Sequence, residues 1–207
     1  MSADSTEAHA SGPANGQRSV VRQNGESPVH GCETWPLSEL IRHIVERHHT
    51  WLRAELPTIG QLIHQTIASE GRTQSGRFIE IEKLFRQFQR ETENHLKKEE
   101  AVLFPLIERL EARAVSGLPP ERQSFGPLSN PVQFMMEDHE LADRLLEKMK
   151  QLAAEDGATQ KATAARRAVL ERLKSVEEDL AIHVRLEDQI LFPRAIRLEE
   201  DGKPSML

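Results

Sequence analysis

One eleven-residue pattern occurs twice in this chain. It reads His95-Leu-Lys-Lys-Glu99-Glu-Ala-Val-Leu-Phe104-Pro105 and His183-Val-Arg-Leu-Glu187-Asp-Gln-Ile-Leu-Phe192-Pro193, with His, Glu, Leu, Phe and Pro at the same offsets. Each copy continues a run in which apolar residues recur in steps of four and three, the period of an amphipathic helix. Ile81, Phe85, Phe88, Thr92, His95, Glu99 and Val102 form one such stripe, and Val169, Leu173, Val176, Leu180, His183, Glu187 and Ile190 form its counterpart. Two further stripes carry one histidine each: Val45, His49, Leu52, Leu56, Ile59 and Ile63, and Val132, Met135, His139, Ala142, Leu146 and Met149. His49 precedes His95 by 46 positions and His139 precedes His183 by 44. The chain therefore reads as two helical hairpins, each giving one histidine from its first helix and a His-Glu pair from its second.

Those stripes set the architecture. Helices are expected over about Pro36–Ser69, with a kink near Pro57, and Arg77–Ala114, kinked near Pro105. Two more are expected over Pro131–Ala154 and Gln160–Arg197. Breaks fall at Gly71–Gly76, at Ser116–Pro131 and at Glu155–Thr159. Nothing reads as a strand. The expected fold is all-α, an antiparallel up-down four-helix bundle over residues 34–200. Residues 1–33 are rich in Ser, Ala, Gly, Asn and Glu, offer little to bury, and read as a disordered tail.

Six polar side chains then stand where apolar ones belong: His49, His95, Glu99, His139, His183 and Glu187. A buried carboxylate without a partner costs several kcal/mol, and no Lys or Arg shares these stripes at the same level. A divalent metal supplies the missing positive charge. His and Glu four residues apart lie on one helix face, and a pseudo-twofold axis between the hairpins brings all six together. Each ion takes two histidines, and the two glutamates can bridge. His48 competes with His49, and the downstream stripe favours His49. Among the other histidines, His9 and His30 fall in the tail, and His43 and His64 on solvated or edge faces. The donor set is imidazole and carboxylate without thiolate, which suits iron or manganese and disfavours Cu(I) and structural zinc.

Composition narrows the function. The 207 residues carry 27 Lys+Arg against 33 Asp+Glu, a net charge of -6, which argues against a nucleic-acid partner. No run approaches the ~18 apolar residues of a membrane helix. The first sixteen residues lack the apolar core of a secretory signal. The one cysteine, Cys32, rules out an internal disulfide, so a reducing cytoplasm is expected. No nucleophile triad, phosphate loop or nucleotide motif is visible.

The His-x-x-x-Glu order, with more histidine than carboxylate, resembles the hemerythrin-like (HHE) family of non-haem di-iron bundles. The paired signatures His95–Pro105 and His183–Pro193 are similar to those of the RIC family, the di-iron proteins for repair of iron centres. So are Gly126-Pro127-Leu128-Ser129-Asn130-Pro131 leading to Met136-Glu137-Asp138-His139, and Pro36-Leu37 followed by His49 and Pro57. The resemblance covers roughly residues 33–198 and carries over the six ligands already named. It implies two non-haem irons joined by an oxo or hydroxo bridge. It also implies a role in nitrosative or oxidative stress, in repair of damaged iron–sulfur clusters or handling of nitric oxide. The alternative is a sensor or carrier that binds NO or O2 reversibly without turnover, and a third is a structural metal module.

The chain departs from these relatives in two places. Where many RIC proteins carry a small N-terminal domain with adjacent cysteines, the expectation here is a tail with only Cys32. It also has Asp143 where oxygen-carrying hemerythrins have a second histidine four residues after the third-helix one. Asp143 is either a solvated edge residue, which neighbouring Glu140 and Arg144 favour, or an extra oxygen ligand. Glu91 and Asp179, each four residues before a ligand histidine, and Asp138 are the other carboxylates beside the set. Each can accept the outer N–H of a ligand imidazole or stand as a solvated helix carboxylate. Trp35 and Trp51 read as packing residues.

Overall fold

A computed structural model describes residues 31–70, 76–121, 124, 126–159 and 163–202. The expected tail, residues 1–30, lies outside them, as does most of the first break. Seven α-helices are described: α1 (Leu37–Ile44), α2 (Thr50–Glu70), α3 (Gly76–Lys98), α4 (Phe104–Val115), α5 (Ser129–Thr159), α6 (Ala164–Leu186) and α7 (Phe192–Asp201). Three five-residue π-helical turns, Val45–His49, Glu99–Leu103 and Glu187–Leu191, join α1 to α2, α3 to α4 and α6 to α7. The result is four long helical rods, 37–70, 76–115, 129–159 and 164–201. Neighbours pack in the order first–second–third–fourth–first, which is an antiparallel up-down bundle.

The rod ends are capped by the same device in both halves. Glu111 of α4 accepts from the backbone N–H groups of Leu37 and Ser38 at the start of α1 (2.6 and 2.9 Å). Glu199 of α7 accepts from the N–H of Leu128 just before α5 (3.2 Å). In each case a carboxylate from another rod satisfies donors that a helix start leaves free. The C-terminus of α4 closes differently: Gly117 takes φ +67 while Leu118 donates back to the Arg113 carbonyl (2.9 Å), the turn for which glycine is suited.

Two apolar clusters fill the interior. One, at the α1/α4/α7 end, includes Leu40, Ile44, Phe104, Ile107, Leu191 and Phe192. The other, along α2, α3, α5 and α6, includes Leu52, Leu56, Phe85, Phe88, Leu146 and Val176. The histidines and glutamates lie between them in the chain, after Ile44 and before Leu52 on the first rod, so the core is interrupted by one polar layer.

The structure corrects several expectations. The third helix does not stop at Ala154 but continues through the expected turn to Thr159. A helical glycine costs only about 1 kcal/mol relative to alanine. Here Arg77 of α3 donates to the Glu155 carbonyl (2.9 Å) and pairs with its carboxylate (3.4 Å), holding this stretch in place. The first rod is helical through Pro57. Val102 was expected to point inward and is 55% exposed, while Leu103 is buried. The π turn from Glu99 holds one residue more than an α turn and rotates everything after it. Phe104-Pro105 suits the wider turn: proline has no N–H for the Ala101 carbonyl, and in an α turn its ring would collide with that group. Pro193 has the same relation to Gln189. In the first rod the π turn likewise leaves Val45 half-buried and Ile44 inside. Cys32, read as tail, is 3% exposed and packs in the first cluster, where burial raises its thiol pKa.

Candidate metal centre

All six side chains singled out from the sequence meet in the polar layer. Glu99 and Glu187 are fully buried, and His49, His95, His139 and His183 nearly so. They form two overlapping sets that can each hold a metal ion: His49, Glu99, His183 and Glu187, and His95, Glu99, His139 and Glu187. Both glutamates belong to both sets, as bridging requires. The histidines pair across the hairpins rather than within them. The Nε2 atoms of His49 and His183 are 3.0 Å apart, and so are those of His139 and His95. Two ligands at about 2.0–2.1 Å from one ion and at right angles stand about 3 Å apart. The other separations are of the same order: His183 Nε2 to Glu187 2.9 Å, His139 Nε2 to Glu187 3.2 Å, His95 Nε2 to Glu99 3.3 Å and His49 Nε2 to Glu99 3.5 Å.

The electrostatics have the same origin. Both Glu99 carboxylate oxygens and Glu187 Oε2 are buried without a hydrogen-bond partner. In the metal-free chain His49, His95 and His139 all hold their protons more firmly than a free imidazole. Burial pulls the imidazoles down, yet the Glu99 charge and a hydrogen bond to Asp138 outweigh it and raise His95 to about 9. Burial is likewise outweighed at His139, which a hydrogen bond to Asp188 and the Glu187 charge raise to about 10. Glu187 resists the upward pull of burial and is held well below the usual carboxylate range by His183 and its imidazole hydrogen bonds. Unpartnered buried oxygens facing imidazole nitrogens at these spacings fit a cation held by N and O donors.

Three of the four outer ring nitrogens are held as well. His49 Nδ1 meets Glu100 at 2.7 Å, His139 Nδ1 meets Asp188 at 3.1 Å and His95 Nδ1 meets Asp138 at 3.4 Å. Such contacts fix the tautomer and aim the inner nitrogen at the metal. Arg53 pairs with Glu100 (2.8 Å) and Lys98 with Asp138 (2.6 Å). Phe104 stacks on His49 and Phe192 on His139, so the repeated Phe-Pro supplies a wall for the single histidine of its own hairpin.

Of the four flanking carboxylates expected from the sequence, only Asp138 contacts a ligand histidine in this way. Asp179 meets His48 instead (3.0 Å), and Glu91 pairs with its neighbour Arg90 (2.8 Å). Asp143 is exposed, stands outside both sets, and has its pKa raised by partial burial. Glu100 and Asp188 were missed, because an acid beside a helical ligand looks like a solvated face. The available signal was the repeat: both stand five residues after the repeated histidine. His48 is buried but outside both sets, His43 is half-buried, and His64 is exposed beside Glu82. Trp35 and Trp51 are partly buried, packed against the first and second apolar clusters respectively. A small cavity of about 20 Å³ reaches the layer between Glu91, Thr92, Asp143, His95 and His139, room for one water-sized molecule.

An all-helical bundle whose core is split by a layer of four histidines and two shared glutamates defines a metal-binding four-helix protein. Residues 40–195 match the hemerythrin HHE cation binding domain, and the chain belongs to that family. It is also similar to the iron-sulfur cluster repair protein YtfE of Citrobacter koseri, at 29% identity over 180 residues that cover 85% of this chain and 74% of that one. The proteins of that name from Yersinia pseudotuberculosis (29% identity; 84% of this chain, 74% of the relative) and Escherichia coli O81 (29% identity; 78% and 67%) are similar to the same degree. Among the described residues, no helix is long and apolar enough to cross a membrane.

Proposed function

We propose that this chain holds two iron ions, one between His49 and His183 and one between His95 and His139, with Glu99 and Glu187 shared, and that it serves repair of iron–sulfur clusters damaged by nitrosative or oxidative stress. The observation that carries the reading is the sharing of both buried glutamates by two symmetric histidine pairs. The names of the similar proteins supply the cellular task. Bound iron supplies redox and Lewis-acid chemistry at the layer. The chain's own residues do the rest. The six donors neutralise and orient, Glu100, Asp138 and Asp188 fix the imidazoles, and the two apolar clusters keep bulk water out. The partners are damaged iron–sulfur proteins, the compartment is the cytoplasm, and the working unit is the bundle over residues 34–200.

A second reading, reversible binding of NO or O2 without turnover, is favoured by the small cavity beside His95 and His139. One experiment separates the two. The chain is purified without oxygen and loaded with iron, and its metal content and optical spectrum are recorded. It is then added to an iron–sulfur enzyme inactivated by nitric oxide. Two irons per chain and recovered enzyme activity are expected. Zinc alone, or one iron reproducibly, overturns the two-ion site. Two irons with stoichiometric, reversible NO binding and no recovery replaces repair with carriage.

A further inference from the structure

Behind the four ligand histidines, three outer nitrogens meet a carboxylate and one, that of His183, does not. Each single histidine gives its outer nitrogen to the acid that follows the glutamate of a His-Glu pair: His49 to Glu100 and His139 to Asp188. His95 gives its outer nitrogen to Asp138, the residue just before His139. The pseudo-twofold counterpart of Asp138 is the residue just before His49, which is His48. His48 offers no carboxylate. Its ring lies parallel to that of His183 (7° between planes, centroids 5.5 Å apart), and its own Nδ1 is taken by Asp179 at 3.0 Å. Asp179 stands one turn before His183 on the same helix, and His48 occupies that carboxylate. His183 Nδ1 is left buried without a hydrogen-bond partner.

We infer that His48 makes the two metal positions unequal, and that the position between His49 and His183 is the weaker. This rests on the two-ion reading. A metal-bound imidazole that donates its outer N–H to a carboxylate is a more basic and better oriented ligand, and loss of such a partner costs 10–100-fold in metal affinity. The His95/His139 position has that support on both imidazoles, and the His49/His183 position on one. The cations on Glu100 and Asp138 do not alter the ranking, since each position has one carboxylate so shared and only the first has a second, Asp188. His48 is a positioning residue acting through His183, and it sets a filling order in an otherwise symmetric site.

The test is anaerobic titration of the metal-free full-length chain with Co(II) alone, followed by its visible spectrum and by calorimetry. Two steps are expected. Mutual repulsion of two ions also separates the steps, so the variants decide. His48→Asp restores the carboxylate of the other half and is expected to tighten the second step at least tenfold while leaving the first unchanged. Asp188→Asn is expected to weaken the first step 10–100-fold and leave the second within threefold. Circular dichroism verifies the fold of each variant, and Asp188→Asn alone decides if His48→Asp does not fold. An unchanged second step in His48→Asp, or a weakened second rather than first step in Asp188→Asn, overturns the inference. Fewer than two ions bound by the unaltered chain overturns the two-ion reading itself.

Discussion

Chelation offers the most direct check on what the polar layer does for the fold. Removing metal leaves Glu99 and Glu187 at 0% exposure, among four imidazoles with little access to water. The penalty is smaller than the burial of two bare carboxylates, because His95 and His139, raised to about 9 and about 10, keep protons at neutral pH. What is lost is the binding free energy itself, since metal binds the native layer and not the scattered ligands of the unfolded chain. An ion present at about 100 times its dissociation constant contributes about 2.7 kcal/mol. The two proposed ions would therefore contribute about 5 kcal/mol. For a chain of this size 1 kcal/mol shifts Tm by roughly 2–4 °C. The chelated protein should melt about 10–20 °C below the loaded one by calorimetry at the same pH and salt. A melting temperature within 2 °C of the loaded value would refute the claim that the layer is a metal site coupled to the fold.

Three further outcomes follow from particular contacts. Glu111→Ala removes the carboxylate capping Leu37 and Ser38 and should cost about 1–2 kcal/mol in urea unfolding. The Glu111 pKa is lowered despite burial, because Ser38 and Leu37 donate to it, so its contribution is present above the unfolded carboxylate pKa and lost as pH falls through the lowered one. The gap between variant and parent should accordingly shrink in acid. Phe88→Ala, at a fully buried ring, should cost about 3–5 kcal/mol without changing metal stoichiometry at low temperature. Asp143→Gly should leave bound metal unchanged by elemental analysis, since the residue is exposed and outside both donor sets; a changed content would make it a ligand.

Periodicity carried the sequence reading as far as it did because burial in a bundle depends on a fixed rotation per residue. Phe85, Phe88, His95 and Glu99 on one rod, and Val176, Leu180, His183 and Glu187 on another, all keep phase and are all buried. The reading slipped where the rotation changes. A π turn adds a residue without changing composition, so Val102 and Leu103 exchange roles and no hydropathy pattern in that copy announces it. The second copy is less affected, because Ile190 and Leu191 are both apolar and both buried. The outer carboxylates were hidden for another reason: on a helix surface an acid that holds an imidazole and an acid that faces water have the same neighbours in sequence.

The same bookkeeping of residues explains the histidine doublet. Pro36-Leu37-Ser38 and Pro127-Leu128-Ser129 begin the first and third rods, and in each a glutamate from the last part of its own hairpin caps the start. From Leu37 to His49 is twelve steps, and from Leu128 to His139 is eleven. The first rod spends its extra residue in the π turn Val45–His49, where Thr50 Oγ donates to the Val45 carbonyl (3.0 Å). The third rod is α-helical throughout and needs none. Counted from the rod start, His48 is the equivalent of His139; counted from Leu52 backward, His49 is. The π turn resolves the ambiguity by turning His49 into the layer and laying His48 against His183. One inserted residue thus does two things at once: it keeps the four-histidine symmetry of the inner donors and breaks the symmetry of what stands behind them.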